Sequence, residues 1–375
     1  MLDRLLHLFE DADSGEQVNL KVWNHLCLNI RSGRKLCRAC EDSCPVQGIK
    51  QTGKEVQISD CISCGLCAVA CPTGVLDQLW DGFVRVINVS RDRRPYIWLT
   101  CHRAAPINDA VRLNCLGELT PELVFYLLCQ GSRKVNILYQ PELCQDCRCQ
   151  TGRSNWINTL EKLGCIYPAD TDCLRVYCDL PENTPETKLS VDYSRRGMLR
   201  ALSGEARRIM DELLSQQPEE HSYHRFSQSL SLRRKLFRYV ISHLEPEKVK
   251  LMEPGYLRHP EIDERCTFCG SCSILCASGA MKMEKSETGI SLTVDPTACN
   301  MCGLCAATCP AQAIKVDWTI PNDGPAHRIS LAQGELKTCT LCHQSYLANI
   351  SQNQTICPGC ITSQCKPKLI WPEIP

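Results

Sequence analysis

Fifteen of the 30 cysteines in this 375-residue chain lie in four regular runs, and a sixteenth, Cys27, precedes the first run. Thiolates spaced in this way can wrap one face of an iron–sulfur cluster, and a more distant thiolate can close it. The spacing therefore predicts iron–sulfur ligation near both ends of the chain. The runs are Cys37-x2-Cys40-x3-Cys44, Cys61-x2-Cys64-x2-Cys67-x3-Cys71, Cys266-x2-Cys269-x2-Cys272-x3-Cys276 and Cys299-x2-Cys302-x2-Cys305-x3-Cys309.

The paired runs resemble bacterial two-cluster ferredoxins, in which the fourth cysteine of each run ligates the [4Fe–4S] cluster of the other run. Near the C-terminus, this resemblance implies the Cys266 set (Cys266, Cys269, Cys272, Cys309) and the Cys276 set (Cys276, Cys299, Cys302, Cys305). Ala277 replaces the proline found in the family, which leaves the Cys276 thiolate in place. Because the pattern occurs twice, four [4Fe–4S] clusters are expected.

The N-terminal copy departs from the family because no third cysteine lies between Cys40 and Cys44. The nearest spare thiol is Cys27. The resemblance then implies the Cys27 set (Cys27, Cys37, Cys40, Cys71) and the Cys44 set (Cys44, Cys61, Cys64, Cys67). The alternative makes Cys27 a buried structural thiol, with a three-iron cluster or none at that site. Three apolar residues are expected to pack on the clusters: Ile49, Val75 and Ile314.

A segment between the two cysteine-rich ends has the pattern of a small α/β domain. Buried strands are predicted at Tyr96–Cys101, at Lys134–Tyr139 and, more briefly, from Val111. A helix is predicted to begin at Thr120-Pro121 and to end before Gly131, since a capping hydroxyl and proline precede its apolar run. This order predicts a parallel sheet.

The cysteines of this domain fall at or after predicted strand ends, where ligands of α/β folds gather. Cys101, Cys115, Cys144 and Cys147, the middle set, are predicted to hold a [2Fe–2S] cluster, with Cys149 as the substitute for one of them. The alternative is a domain without iron. His102 is interpreted as a bystander, and Cys129 as a core residue.

The same segment resembles the iron–sulfur (delta) subunit of methyl-viologen-reducing hydrogenases. The resemblance rests on Cys115-x-Gly117, the helix, Asp146-Cys147 and Thr151-Gly152. It implies a [2Fe–2S] cluster and a complex with a flavin-containing disulfide reductase. An early Cys-x2-Cys of that family is missing here.

Two further Cys-x2-Cys pairs near the C-terminus have the spacing of a zinc ribbon. They are Cys339, Cys342, Cys357 and Cys360. Structural zinc is the predicted metal, and a single rubredoxin-type iron or a further iron–sulfur cluster are the alternatives for the same four thiolates. His343 is interpreted as a bystander.

The predicted fold class is α+β, with two ferredoxin-like modules flanking a small α/β domain and a zinc-ribbon-like knuckle at the end. Two surface helices, Arg196–Leu214 and Leu230–Leu244, are predicted as a linker or docking segment between the domains. The expected domains are residues 1–90, 91–185, 186–255, 256–320 and 321–375.

Composition excludes several other classes. Lys plus Arg and Asp plus Glu are both 42, so no basic field favours nucleic acid. No dinucleotide-binding, Walker A, zinc-protease or nucleophile-elbow motif is found. Asp3 and a short apolar run argue against a signal peptide, and no stretch is apolar enough to span a membrane, so a reducing cytoplasm is expected.

The predicted function is an electron-transfer subunit of an anaerobic oxidoreductase complex, a hetero-oligomer. It would relay electrons between a catalytic partner (a hydrogenase, a molybdenum or tungsten enzyme, or a disulfide reductase) and a flavoprotein or ferredoxin. The alternative is an enzyme that reduces a disulfide or small molecule at an incompletely ligated middle cluster.

Overall fold

The structure, a computed structural model, describes residues 22–77, 81–90, 95–129, 134–164, 173–180, 227–243, 257–286, 289–319, 328–351 and 354–361. Helices and strands are mixed along the chain, in agreement with the predicted α+β class. The helix predicted over Arg196–Leu214 lies outside the described residues. No helix in the described ranges is long and apolar enough to cross a bilayer.

The N-terminal module (residues 22–77) is built from short elements that leave most of its cysteines in loops. Its elements are α1 (Leu28–Ser32), α2 (Ala39–Ser43), β1 (Ile49–Gln51), β2 (Val56–Ile58) and α3 (Leu66–Ala70). The two strands form an antiparallel hairpin in which Lys50 pairs with Gln57. The module therefore has little regular structure of its own.

The middle domain (residues 81–180) contains the predicted parallel sheet. Its elements are α4 (Asp81–Ser90), β3 (Tyr96–Cys101), β4 (Val111–Leu113), α5 (Pro121–Cys129), β5 (Lys134–Leu138), α6 (Gly152–Gly164) and β6 (Leu174–Tyr177). The strand order is β4-β3-β5-β6, and every neighbouring pair is parallel. The predictions of β3, β4, β5 and α5 are confirmed, whereas α6 and β6 were not predicted.

Helix α5 is almost entirely apolar because other elements cover it, and its one charged residue, Glu122, is buried and paired with Arg233. Leu123, Val124, Phe125 and Leu127 are fully buried. The helix packs on the sheet and on α4, α6 and α7 (Leu232–His243). Where α5 meets α7, the rings of Tyr126 and Tyr239 lie with their centroids 5.4 Å apart. A helix without a polar face needs such an enclosed position.

Helix α7 lies within the predicted Leu230–Leu244 helix, but it is not a surface helix as the sequence pattern predicted. Leu236, Phe237 and Val240 are fully buried, and even Arg234 is only 5 % exposed. The prediction was wrong because the charged residues of this helix, which are typical of a solvated face, hydrogen-bond to other parts of the chain instead.

The C-terminal module (residues 257–319) and the cysteine-rich ribbon after it share one sheet. The elements are β7 (His259–Ile262), α8 (Ser271–Leu275), β8 (Met281–Lys285), β9 (Ile290–Val294), α9 (Leu304–Ala307), β10 (Ile314–Thr319), β11 (Ile329–Thr338), β12 (Ser345–Asn349) and α10 (Pro358–Ile361). Strand β11 pairs with β9, which gives the order β12-β11-β9-β8, and β7 pairs with β10. The ribbon is thus a continuation of the module.

Two hydrophobic cores hold these parts together. The larger core joins residues of the N-terminal module, the middle domain and α7, and it reaches Ala277 of the C-terminal module. The smaller core lies between the C-terminal module and strand β11 of the ribbon. The N-terminal module, the middle domain and α7 are therefore buried against one another and share one interior.

Candidate iron–sulfur and metal sites

Three of the four cysteine runs have the same backbone conformation. In each run, the residue before the second cysteine and the glycine after it have left-handed backbone angles, with φ between 50° and 78°. These pairs are Ser63 and Gly65, Phe268 and Gly270, and Met301 and Gly303. A non-glycine residue in this region is uncommon and needs support from its surroundings. The amides of Ser63 and Met301 donate to the Sγ atoms of Cys61 and Cys299, at 3.4 Å in each case.

The backbone after the last cysteine of a run also turns back toward that cysteine. Three of the four segments form the same hydrogen bond, in which the backbone N–H four residues later donates to the cysteine Sγ. These bonds are Gly48 to Cys44 at 3.3 Å, Val75 to Cys71 at 3.4 Å and Ala313 to Cys309 at 3.4 Å. An amide that points at a sulfur favours the thiolate, which is the form that binds metal.

The first run has a different conformation, and Asn29 explains how distant Cys27 reaches it. Cys37 precedes α2, and Cys27 precedes α1. The buried side chain of Asn29 in α1 holds the Cys37 loop. Its Oδ1 accepts from the amides of Leu36 (2.7 Å) and Cys37 (2.8 Å), and its Nδ2 donates to the Cys37 carbonyl (2.8 Å). Sequence reasoning did not single out this asparagine.

The Cys27 set is brought together in the N-terminal module. Burial raises the pKa of Cys40 to about 12, against a hydrogen bond from Gln51, and the nearby thiols of Cys71, Cys37 and Cys27 raise it further. Burial also raises the pKa of Cys27, where the Cys37 thiol adds to the effect. All four residues predicted from the crossed pattern are therefore neighbours.

The Cys44 set lines a single cavity. All four of its thiols border this space together with apolar side chains of β1, β2 and the Cys61 loop: Ile49, Ile58 and Ile62. Burial raises the pKa of Cys67, and the thiols of Cys64, Cys61 and Cys44 act in the same direction. Ile49 thus lies where the sequence predicted it.

The two sets of the C-terminal module repeat this arrangement. The Cys266 set lines one cavity with Phe268 and Ile314, and burial raises the pKa of Cys272 to about 12. In the Cys276 set, burial raises the pKa of Cys302 to about 12, with the thiols of Cys276 and Cys299 adding to it. The crossed pairing therefore brings Cys309 and Cys276 each beside the other run.

The donor atoms fit iron–sulfur clusters. Each set offers four sulfur ligands, of which only Cys61 and Cys269 are exposed, and burial opposes the charge on an isolated thiolate. A cluster removes that penalty because its iron binds the thiolates directly, and thiolate ligands select such soft centres. Every cysteine of the described residues is free, so none of these thiols is committed to a disulfide.

The middle set gathers at the carboxyl edge of the parallel sheet. Cys101 ends β3, Cys115 follows β4, and Cys144 and Cys147 lie after β5. Burial raises the pKa of Cys115 to about 12, and Cys147 and Cys101 are among the neighbouring groups that contribute. Burial likewise raises the pKa of Cys144, with Cys101 and Cys147 as neighbours. The four thiols therefore lie in one group, in which Cys101 and Cys147 are neighbours of both Cys115 and Cys144.

Cys149 lies between the middle set and the N-terminal module, with Cys115 and Cys147 on one side and Cys64 on the other. Its thiol contacts the thiol of Cys64, and the two pack with Leu66 in a small buried cluster. A hydrogen bond from Cys149 lowers the pKa of Cys64 to about 6. The structure thus gives the expected substitute ligand a different neighbour, which the spacing alone could not indicate.

Glu118 contacts both the Cys115 loop of the middle set and the Gly65 loop of the Cys44 set. This residue was not identified from the sequence. Its carboxylate accepts from the amides of Asn114 (2.9 Å), Cys115 (3.2 Å) and Gly82 (2.9 Å). A Cβ added to Gly65 in the neighbouring cysteine loop would lie 3.1 Å from this carboxylate. Burial raises the pKa of Glu118 to about 7, against these hydrogen bonds.

The remaining residues of the middle domain have ordinary environments. His102 makes a hydrogen bond of 2.5 Å between Nδ1 and the carbonyl of Asn114, in agreement with a bystander. Cys129 is half-buried against the large core. Cys173 and Cys178 are exposed, and Cys165 and Cys365 lie outside the described residues.

The ribbon brings its four thiols within 4.8 Å of one another, which is close enough to hold one metal ion. The thiols belong to Cys339, Cys342, Cys357 and Cys360. Cys339 is fully buried, and the amide of Cys357 donates to its Sγ at 3.2 Å. His343 follows with a left-handed backbone, and its amide donates to the Cys339 carbonyl at 2.9 Å. The geometry fits a tetrahedral metal site.

Comparison with known proteins supports the cysteine assignment at the level of domains. Residues 265–313 match the 4Fe-4S dicluster domain, and residues 55–77 match the 4Fe-4S binding domain. The chain therefore contains two ferredoxin-type 4Fe–4S domains. No solved structure matches the chain.

Similar proteins include formate hydrogenlyase subunit 2 of Escherichia coli and of Shigella flexneri. Each is 40 % identical to this chain over 53 residues, which is 12 % of this chain and 26 % of the relative. The chain thus spans about a quarter of the length of these curated relatives.

Proposed function

We propose that the chain is an iron–sulfur electron-transfer subunit of a larger oxidoreductase complex. The observation that carries this proposal is the gathering of sixteen cysteines into four sets, two of which line cavities with all four of their thiols. When bound, [4Fe–4S] clusters supply one-electron transfer at potentials tuned by burial and by hydrogen bonds to sulfur. The 4Fe–4S domains of the chain agree with this chemistry.

The ligands are assigned in crossed order. The Cys27, Cys44, Cys266 and Cys276 sets each hold one [4Fe–4S] cluster. The protein contributes burial, which limits solvent access, and the amide-to-sulfur hydrogen bonds of the cysteine loops. Both features adjust the stability of the reduced state relative to the oxidised state.

A [2Fe–2S] cluster on the middle set completes the assignment. It is supported by the position of Cys101 and Cys147 beside both Cys115 and Cys144 at the carboxyl edge of the sheet, and by the resemblance to the hydrogenase delta subunit. Cys149 also neighbours Cys115 and Cys147, but it is not included because its thiol hydrogen-bonds to Cys64.

The ribbon is assigned a structural zinc ion. Four thiolates at tetrahedral spacing suit zinc, and the ribbon strands extend the sheet of the C-terminal module. Zinc would stabilise this end of the molecule without taking part in electron transfer.

The proposed partners are a catalytic oxidoreductase subunit (a hydrogenase, a molybdenum or tungsten enzyme, or a disulfide reductase) and a flavoprotein or ferredoxin. The relatives named as subunits of formate hydrogenlyase support a place in a multi-subunit complex. The free thiols support a reducing compartment, the cytoplasm.

The proposal is tested by anaerobic iron and acid-labile sulfide analysis of the full chain. About sixteen irons are expected from four [4Fe–4S] clusters, and about two more from the middle set. Cys71→Ser should remove the cluster of the Cys27 set and leave that of the Cys44 set. About eight irons, or a Cys71→Ser variant that loses only the Cys44-set cluster, would contradict the assignment. Substrate-dependent turnover by the isolated chain would favour the enzyme alternative.

A further inference from the structure

We propose that Arg31 is the buried positioning residue at the junction of the two ferredoxin-type modules, so that the five cysteine sets lie in one continuous order. That order is the middle set, the Cys44 set, the Cys27 set, the Cys276 set and the Cys266 set. The inference rests on the proposed function, because the order matters only if the sets hold redox centres.

Arg31 lies next to the Cys27 set. It lies in α1, which directly follows Cys27, and its backbone N–H donates to the Cys27 carbonyl at 2.9 Å. Its side chain is only 1 % exposed, although it carries a permanent charge. Burying a charge is unfavourable unless its donors are paired, so the hydrogen bonds of this guanidinium define its role.

The guanidinium binds the end of α8 in the other module. Nε donates to the carbonyl of Leu275 at 2.7 Å, and Nη2 donates to those of Ile274 at 2.9 Å and Cys276 at 3.4 Å. Carbonyls in the last turn of a helix have no partner within the helix. Arg31 therefore caps the helix that leads directly into Cys276.

The other face of the guanidinium holds two more backbone segments. Nη1 donates to the carbonyl of His25 at 2.9 Å and to that of Ser227, just before α7, at 2.8 Å. The guanidinium is planar and presents its donors in fixed directions. Bound to three segments of the chain at once, it fixes the orientation of Cys27 relative to Cys276.

Contacts between the remaining sets complete the order. Cys67 of the Cys44 set has Cys40 of the Cys27 set among its neighbouring thiols, and Cys305 of the Cys276 set has Cys272 of the Cys266 set. At the other end, Cys64 contacts Cys149 beside the middle set. A Cβ added to Gly152 would lie 2.4 Å from Cys115 Sγ and 2.9 Å from Leu66 of α3, so the two parts are in close contact there.

The order places electron entry and exit at its two ends. At one end, a partner's one-electron donor is oxidised as the first site gains an electron. Each inner transfer oxidises one site by one electron and reduces the next by one. At the other end, a partner's acceptor takes that same electron, so no net change remains on the chain.

The test uses the full chain with the outermost sets of the two modules emptied. Cys61→Ser, Cys64→Ser, Cys266→Ser and Cys269→Ser together leave one [4Fe–4S] cluster in each module, the Cys27-set cluster and the Cys276-set cluster. In the reduced protein, the magnetic interaction between these two clusters depends on how close the two modules hold them. Electron paramagnetic resonance measures this interaction. We expect this interaction with Arg31 present and its loss in Arg31→Met at equal iron content.

Arg38→Met is the matched control. Arg38 lies between Cys37 and Cys40 in the same module, is exposed, and forms ion pairs with Glu41 and Asp42 rather than with the other module. It removes the same charge near the Cys27 set and should leave the interaction intact. An interaction that persists in Arg31→Met, or that is absent with Arg31 present and both clusters loaded, would overturn the inference.

Two further measurements cover failed loading. If the four-serine background takes up no iron, Arg31→Met is made in the chain with all sets intact. It should narrow the electron paramagnetic resonance spectrum of the reduced protein at unchanged iron content, and an unchanged spectrum would overturn the inference.

If Arg31→Met itself takes up no iron, Arg31→Lys should weaken the interaction, because an ammonium group cannot reproduce the planar donor geometry of the guanidinium. An unaltered interaction would again overturn the inference. A wild-type chain without iron would instead refute the proposed function.

Discussion

Five thiols lie at the carboxyl edge of the middle sheet, and one of them also contacts the N-terminal module. Cys101 and Cys147 are neighbours of both Cys115 and Cys144, whereas Cys149, itself a neighbour of Cys115 and Cys147, makes a thiol contact with Cys64 of the N-terminal module. Cys149 and Cys147 are only two residues apart, and the amide of Cys149 donates to the Cys147 Sγ at 3.4 Å. The backbone turn that contains Cys147 and Cys149 therefore lies at both the middle set and the Cys44 set.

This division predicts different effects for the two cysteines. Cys147→Ser should abolish the [2Fe–2S] signal in the electron paramagnetic resonance spectrum of the reduced full chain, because one of four iron ligands is removed. Cys149→Ser should keep that signal, since the Cys149 thiol hydrogen-bonds to Cys64 instead. Cys129→Ser, at a half-buried position on the core, serves as the control and should keep the signal as well. Loss of the signal in Cys149→Ser would show that Cys149 is a ligand.

A second prediction at this scale concerns the buried carboxyl of Glu118. Burial raises its pKa in the folded state to about 7 from the ordinary value of 4.5. Between these pH values the folded state retains a proton that the unfolded state has released, so the free energy of unfolding falls as the pH rises through this window. Glu118→Gln cannot titrate and should flatten this part of the profile.

The measurement is denaturant unfolding of the iron-loaded chain at several pH values from about 5 to about 7.5, the window set by the two pKa values. Glu142→Gln, at an exposed glutamate of the same domain, should leave the slope unchanged. Equal slopes for the wild-type and Glu118→Gln proteins would contradict the prediction.

At the scale of elements, the helices and strands with a continuous apolar pattern were predicted from the sequence. The helices and strands with a mixed pattern of polar and apolar residues were not. Strand β3 and helix α5 are apolar apart from Thr100 and Glu122, and were placed correctly. Strand β6 buries only Leu174, because it is the edge strand of the sheet, and α6 buries only one face around Trp156. Tertiary position, rather than local propensity, determined both.

Helix α7 is a second element whose position could not be predicted from its local sequence pattern. Its arginines look solvated in the sequence, but Arg233 donates to the carbonyl of Val69 (2.8 Å) and to Glu122 (3.0 Å), while Arg234 donates to the carbonyl of Cys299. These partners lie in all three folded parts of the chain, at sequence distances of 65 to 164 residues. No local pattern could have indicated them.

The central position of α7 predicts a large effect of its core residues. Leu236 is fully buried, and Leu236→Ala should lower the free energy of unfolding by about 2–5 kcal/mol through lost burial and a cavity. Arg238→Ala, on the exposed side of the same helix, should change it by less than about 0.5 kcal/mol. Anaerobic chemical denaturation of the loaded chain measures both. A small effect of Leu236→Ala would mean that α7 is dispensable for the joint core.

At the scale of the whole molecule, the ribbon is joined to the C-terminal module through the pairing of β11 with β9. Cys342→Ala should therefore lower the yield of folded protein, because the metal that stabilises one end of the shared sheet is lost. The iron content of the protein that survives should be unchanged, since zinc carries no redox role. Elemental analysis of purified protein measures both metals. Absence of zinc, with an additional high-spin ferric signal, would identify rubredoxin-type iron instead.

The sequence predicted the gathering of the cysteine sets better than the relation between them. Regular spacing indicated the runs, and the resemblance to two-cluster ferredoxins implied that Cys71 lies beside Cys40, because a cluster-binding loop is a local structure closed by one distant thiol. The junction between the modules depends on Arg31, whose acceptors at Ile274, Leu275 and Cys276 lie 243 to 245 residues away along the chain. Such a residue has no signature, because any exposed arginine looks the same in the sequence.

The sequence distance between Arg31 and Leu275, 244 residues, also has a consequence for biosynthesis. At about 5–20 residues per second, a ribosome needs roughly 10–50 s to reach Leu275 after Arg31 has been made. Throughout that interval the cysteines of the Cys27 set exist without the surfaces that later enclose them. Iron delivery to this set before synthesis is complete would leave a cluster open to oxygen. Cells that make this protein are therefore expected to insert its clusters after the chain has been released.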